Sequence, residues 1–309
     1  MGRGSWGPLW LLSADGGDAR DAPEEDGVIN SAAPVRIVGQ GLAGTMLGGA
    51  RTWEIYTHLE RELACPLVRE LRIRRLFRSE KERTTMQARL DRPEVATWVE
   101  SADADGLWMR GAFQVDTAAL IGAMRRRWVA KGWLVEAEVT TRDDKDCPTI
   151  WCVGAGVREH AVGVAAWELS KGELLSGHMM GIDEEVVLND GQWILPLGAG
   201  RVRVGATFIR DDLSLAPSGQ GGEELWAAAR RLSKVPLTDV TVDVGLRVNV
   251  PRRRPVVGWT DEGKRVGIIA GLAAKGALWA PVLAEQWVAD DLDGGQLEIE
   301  TRPGPRRRI

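Results

Sequence analysis

The sequence predicts an α/β protein in which a parallel-sheet domain, assembled from separated pieces of chain, carries an inserted, mainly antiparallel α+β domain. Three observations predict it. A short apolar run, "VRIV", enters a glycine turn and a helical pattern, and a second strand–helix–strand alternation follows from Phe113 to Val153. Between Lys171 and Val244 the pattern changes to alternating hairpin runs. The first pattern then returns at Val266. The expected boundaries are 34–53, 112–170 and 245–292 for the parallel domain, and 54–111 with 171–244 for the inserted one. Residues 1–33, rich in Gly, Asp, Glu and Ala without periodicity, read as a disordered leader, and 293–309 as a flexible tail.

Each element has its own signal. Val35, Ile37 and Val38 suit a short buried strand running into the turn Gly39–Gly44. The helix beyond is expected to be brief. Only Thr45, Met46 and Leu47 precede Gly48–Gly49, which reads as a seam before a different helix. From Arg51 to Leu71, Ile55, Leu59, Leu63 and Leu67 recur at helical spacing, interrupted by Pro66. "LRIRRLFRS" alternates like an exposed strand. Asp116 is placed to N-cap a helix that ends at Gly132. "WLVEAEVT" and "PTIWCVGAG" follow as strands, the second buried and ending in glycines. "GQWILPLGAGRVRVGATFI" reads as a hairpin around "GAG", and "EELWAAARRLSKV" as a helix. "RVGIIAG" and "GALWAPVLAEQWVADDL" supply the last strand, glycine turn and helix.

Composition removes several function classes. A net charge of −4, with acidic stretches balancing the runs "MRRRW" and "PRRRP", argues against a nucleic-acid partner. No stretch reaches the ~20 apolar residues of a membrane span, and "WGPLWLL" lacks the basic flank of a signal peptide. Cys65, Cys147 and Cys152 form neither a zinc spacing nor an even disulfide set, so no metal is expected. Reduced cysteines suit a cytoplasmic enzyme.

Gly39, Gly41 and Gly44 form G-x-G-x-x-G directly after a predicted strand. Gly39 permits the tight turn, Gly41 lets backbone approach a pyrophosphate, and Gly44 lets helix and strand pack closely. The following helix would aim its amides at the phosphates. A plain packing turn is the alternative. In "GIIAGLAAKGALWAP", Gly271 turns after a strand and Gly276 opens a helix, giving a second helix N-terminus or a second packing turn. A nicotinamide-dependent dehydrogenase would explain the first turn but not this second block.

Taken in order, these blocks resemble the FAD-dependent oxidoreductases of the D-amino-acid oxidase and glycine oxidase superfamily. "VRIVGQGLAG", "GAFQVDTAALIGAM", "KGELL", "WILPLGAGRVRVGATF", "GLRVNVPRRRPVVGW" and "GLAAKGALWAPVLAEQW" carry the resemblance, from about residue 34 to 290. It implies a discontinuous Rossmann-like FAD-binding domain with an inserted substrate domain. The implied activity is oxidation of the C–N bond of an amino acid or related amine by hydride transfer to flavin. The alternative is a non-catalytic or FAD-deficient member of the same fold.

Position by position, the resemblance implies that Gly39, Gly41 and Gly44 hold the FAD pyrophosphate, and that Val139 meets the adenine edge. Gly154 and Gly156 would lie near the cofactor, with Gly271, Lys275, Gly276 and Leu278 approaching the isoalloxazine end. Arg247, in "GLR", matches an arginine that forks the substrate carboxylate in some members; a surface arginine in a basic loop is the other reading. The second strand and ribose-binding acid expected ~20 residues after the glycines are missing from the pattern, as by a deletion after Leu47. Glu60 and Glu62 fall at the right count but inside a helical pattern.

Overall fold

The computed structural model describes residues 28–29, 41–136 except 91 and 97, 149–157, 167–250, and 255–293 except 261, 262, 264 and 265. The chain runs β1 (Val28–Ile29), α1 (Gly41–Leu63), β2 (Val68–Leu76), α2 (Glu80–Gln87), α3 (Pro93–Ala96), β3 (Val99–Ala102), β4 (Gly106–Val115), α4 (Thr117–Ala130) and β5 (Thr149–Trp151). It continues through β6 (Glu168–His178), β7 (Val186–Asn189), β8 (Trp193–Gly198), β9 (Arg201–Gly205), α5 (Gly219–Leu232), β10 (Thr238–Asn249), β11 (Val256–Trp259), β12 (Val266–Ala270) and α6 (Gly276–Asp293).

Two sheets result. The larger has nine strands in the order β1-β4-β2-β7-β8-β9-β6-β10, with β3 also on β4. Its pairs are antiparallel apart from β2 with β7. The smaller is β11-β12-β5, in which β5 and β12 run parallel. Helix α5 covers one face of the large sheet, setting Leu225, Ala228 and Leu232 on Leu175, Ile194, Val202 and Val204. Ser218 starts that helix by accepting from the Gly221 N–H at 3.0 Å. On the other face Leu71, Ile73, Leu107, Met109, Val187 and Leu195 form a second core. The sheets meet where Leu169 and Val248 of the large one pack on Trp151, Ile268 and Ala270 of the small one.

Several expectations are met in detail. Asp116 caps α4, accepting from the Ala119 N–H at 2.8 Å, and Gly132 follows the helix at φ +66°. The hairpin β8–β9 turns through Ala199 and Gly200, both at positive φ. Others need correction. Gly48–Gly49 is no seam in the backbone, because α1 runs unbroken for 23 residues. Two glycines cost a helix about 1 kcal/mol each relative to alanine, and α1 offsets this by docking on α6. Over residues 50–63 its buried residues are Thr52 and Tyr56, while Ile55, Leu59 and Leu63 of the expected stripe are half-buried and Leu67, beyond the helix, is buried. Strand β2 is not exposed: it lies between β4 and β7, and Arg72, Arg74 and Arg75 pair with Glu100, Asp103 and Glu82. Residues 133–136 form no strand. The predicted first strand at 35–38 lies outside the described residues.

Candidate functional site

The carboxyl ends of parallel β5 and β12 lie side by side, the place where open α/β sheets take their ligands. Both strands end in left-handed turns. Gly154 has φ +49° and Gly271 φ +73°, conformations that an L side chain rarely adopts. A Cβ on Gly154 would meet nothing within 4 Å, and the same holds for Gly276 at the start of α6. The backbone at Gly154 and Gly276 is therefore bare and open, which suits close approach of a phosphate-bearing cofactor. Lys275 is exposed in the turn before α6, its N–H bonded to Leu272 O at 3.0 Å. The Gly156 N–H donates to Val153 O at 2.9 Å.

Helix α1 is pinned to the start of α6 by two hydroxyls. Thr52 donates to Leu278 O and Tyr56 to Ala277 O, each at 2.8 Å. Pro281 has no N–H and leaves the Ala277 carbonyl, four residues earlier, without its helical donor. Tyr56 supplies that donor from another helix. Burial pushes its phenol up to about 12. The side chain of Leu278 itself is buried in the cluster of Tyr56, Phe113 and Val115. Arg51 of α1 also pairs with Glu285.

Arg247 sits on β10, opposite Ser170 of β6. Its guanidinium crosses β6 at Gly172, where an added Cβ would lie 2.1 Å from Nη2. Nη1 then donates to Thr207 O at 3.1 Å. Asn249, two residues on, donates from Nδ2 to Ser170 Oγ at 3.3 Å, so one sheet face gathers Arg247, Asn249, Ser170 and the Thr207 carbonyl. The neighbours Leu246 and Val248 point the other way, into the junction with the small sheet. Val250, past the end of β10, touches the Cβ position of Gly271 at 3.1 Å. Arg247 is three residues before Val250, roughly 10 Å along an extended chain. Arg247 and the turn at Gly271 are thus close along the chain, but the arginine side chain leaves β10 on the face away from the small sheet.

The model of a protein family described as "DAO: FAD dependent oxidoreductase" matches residues 46–290. The chain belongs to this family. FAD is its cofactor. The family match opens after Gly39, Gly41 and Gly44. Among curated proteins, this chain is 34% identical over 95 residues to the tRNA 5-methylaminomethyl-2-thiouridine biosynthesis bifunctional protein MnmC of Psychrobacter sp.. That stretch is 26% of this chain and 13% of the relative's length. The fold of this chain is shared with solved oxidases and a dehydrogenase. Glycine oxidase from Geobacillus kaustophilus superposes with a TM-score of 0.74 at 17% identity, covering 97% of this chain and 91% of the other. Iminodiacetate oxidase from Chelativorans sp. gives 0.69 at 20% identity, covering 84% and 85%. L-proline dehydrogenase from P. horikoshii gives 0.65 at 14%, covering 84% and 82%.

The residues proposed from sequence fare unequally in this oxidoreductase. Gly154, Gly271, Lys275 and Gly276 come together at one edge of the small sheet, and Gly41 and Gly44 fall in the first turn of α1. Gly39 and Val139 lie outside the described residues. Glu60 and Glu62 have other uses: Glu60 Oε1 accepts from the Leu67 and Val68 N–H groups at 2.6 and 2.9 Å, and Glu62 pairs with Arg127. Sequence reasoning missed Gly172, Ser170, Thr207 and Asn249. Only Gly172 left a signal, as an isolated glycine within an otherwise regular strand, which marks a close approach.

Proposed function

We propose that this FAD-dependent oxidoreductase oxidises the C–N bond of an amino acid or related amine in the cytoplasm, with Arg247 as the anchor for the substrate carboxylate. The observation that carries the reading is the seating of the Arg247 guanidinium in the gap left by Gly172, with Thr207 O fixing one end. A guanidinium held flat presents a fork that matches a carboxylate in a bidentate pair. The solved relatives support it, since glycine, iminodiacetate and L-proline each carry an amine and a carboxylate.

In this reading segments 34–53, 112–170 and 245–292 hold the cofactor, and 54–111 with 171–244 form the substrate side. Gly39, Gly41 and Gly44 take the pyrophosphate and Val139 the adenine edge. Gly154 and Gly156 give backbone to the cofactor, while Gly271, Lys275, Gly276 and the backbone of Leu278 border the isoalloxazine end. Bound FAD supplies the hydride acceptor. The protein's share is to hold the substrate by its carboxylate and keep its amine-bearing carbon in a fixed orientation.

The test is turnover of a panel of amino acids and simple amines, with oxygen or a dye as final acceptor, in the wild type and in Arg247→Met. Turnover of carboxylate-bearing amines, with KM raised strongly in the variant, is expected. No turnover by flavin-loaded wild type with any member of the panel would favour the non-catalytic alternative.

A further inference from the structure

Beneath Arg247, on the opposite face of β6, lies a buried charged cluster that the reading above does not use. Strand residues alternate between faces, so Gly172 seats the guanidinium on one side while Lys171 and Glu173 point to the other. Both are fully buried. Lys171 Nζ donates to Asp212 Oδ2 at 2.7 Å and to the Ala216 carbonyl, and lies 3.4 Å from Glu173 Oε1. Glu173 accepts from the Ser218 N–H at 2.7 Å and from the Ser218 hydroxyl at 3.0 Å. Asp212, Ala216 and Ser218 all belong to the irregular segment that joins β9 to α5.

The same segment starts with the residues that touch Arg247. Thr207 and Ile209 run beside β6: the Lys171 N–H donates to Ile209 O at 2.8 Å, the Ile209 N–H to Lys171 O at 3.0 Å, and the Glu173 N–H to Thr207 Oγ1 at 2.9 Å. The Thr207 carbonyl, at the head of this run, receives Arg247 Nη1. The loop is therefore held at its far end by the ion cluster, and at its near end it sets the acceptor that aims the arginine. Burying an ammonium and a carboxylate is costly unless every partner is in place, so such a cluster tolerates one loop arrangement and penalises others.

We propose that Lys171 and Asp212 are positioning residues for Arg247, acting through the Thr207–Ser218 loop to fix the guanidinium for carboxylate binding. The inference rests on the reading of Arg247 as the carboxylate anchor. It adds that the anchor is aimed from across the sheet, by side chains that never meet the substrate.

The test uses the flavin-loaded full chain and acetate as the probe, titrated by NMR, together with steady-state kinetics on an amino acid that the wild type turns over. Asp212→Asn keeps the side-chain shape and, with the Asp212 side chain 44% exposed, leaves the fold in place. Acetate binding is expected to weaken about tenfold, as for a misplaced positioning contact, with the kinetic loss carried by KM. Flavin content should hold, and Asp212→Glu should restore most of the loss. Lys171→Met should do the same or more; if it does not fold, Asp212→Asn decides alone. Wild-type acetate affinity in Asp212→Asn, beside a clear loss in Arg247→Met, overturns the inference and leaves the carboxylate reading standing. A loss that falls on kcat and flavin content instead, without rescue by glutamate, also overturns it. Equal acetate binding by wild type and Arg247→Met, or none by either, sinks the carboxylate reading and the inference together.

Discussion

Gly172→Ala is the sharpest single perturbation of the candidate site. The new methyl carbon would sit 2.1 Å from Arg247 Nη2 and 2.3 Å from Cζ and Nη1. Ordinary contact between such atoms is about 3.5–4.0 Å, so the guanidinium must move by roughly 1.5 Å. It is the far end of a flexible side chain, and moving it costs the fold little. A 1.5 Å shift breaks the 3.1 Å bond to Thr207 O and misaligns the fork. A hydrogen bond to a charged group contributes about 1.5–3 kcal/mol. Affinity for a substrate carboxylate should therefore fall about 10- to 150-fold. Alanine also removes the backbone entropy cost of a strand glycine, about 0.5–1 kcal/mol, so Tm should hold or rise slightly. The assay is KM for an amino-acid substrate set beside a thermal melt and the flavin spectrum. Unchanged KM in a well-folded Gly172→Ala protein would refute the placement of the substrate carboxylate at Arg247.

Three further outcomes test the packing and electrostatics. Tyr56→Phe removes the donor to Ala277 O, which Pro281 cannot replace, and should cost about 1–3 kcal/mol; adding Pro281→Ala should recover part of it, and strictly additive effects in a double-mutant cycle would sink the pairing. Leu225→Ala, at a fully buried position where α5 meets the large sheet, should cost about 2–5 kcal/mol by denaturant melt, and a cost near zero would contradict that core. The hydrogen bond from Lys171, aided by the Ser214 N–H, holds the Asp212 carboxyl down at about 2, below its usual 3.8. Folding thus favours the charged form. Its contribution is complete above about pH 4 and is lost as pH falls towards 2. Amide protection in 210–218, corrected for the intrinsic exchange rate, should fall across that window in wild type but not in Asp212→Asn, and identical profiles would refute the assignment.

Much was legible from local pattern. Asp116 and its helix, the β8–β9 hairpin, the glycine-ended strand at Trp151 and the strand–turn–helix at Gly271–Gly276 all depend on neighbours within a few residues, where capping, turn chemistry and alternation act. Errors arose where tertiary contacts override such preferences. Gly48–Gly49 reads as a break because two glycines weaken a lone helix, yet α1 continues through them because Thr52 and Tyr56 dock it on α6. Strand β2 reads as exposed because its arginines alternate with apolar residues, and partners distant in sequence, Glu100 for Arg72, Asp103 for Arg74 and Gln114 for Arg69, with Glu82 for Arg75, let it lie inside a sheet. Glu60 fits a ribose acid by count but spends its carboxylate on two strand amides.

The sequence by itself determined the α/β class, the glycine turns, the chemical family of the cofactor and Arg247 as a candidate anchor, since these rest on residue identity and spacing. The tertiary structure decided what surrounds that arginine. Gly172 lies 75 residues earlier in the chain, Thr207 40 residues earlier, and the Lys171–Asp212 cluster on the reverse of the same strand. Strand pairing alone brings them together. Register across β10, β6 and the end of β9 is a property of the folded sheet, and no local pattern in the chain encodes which side chains it places opposite one another.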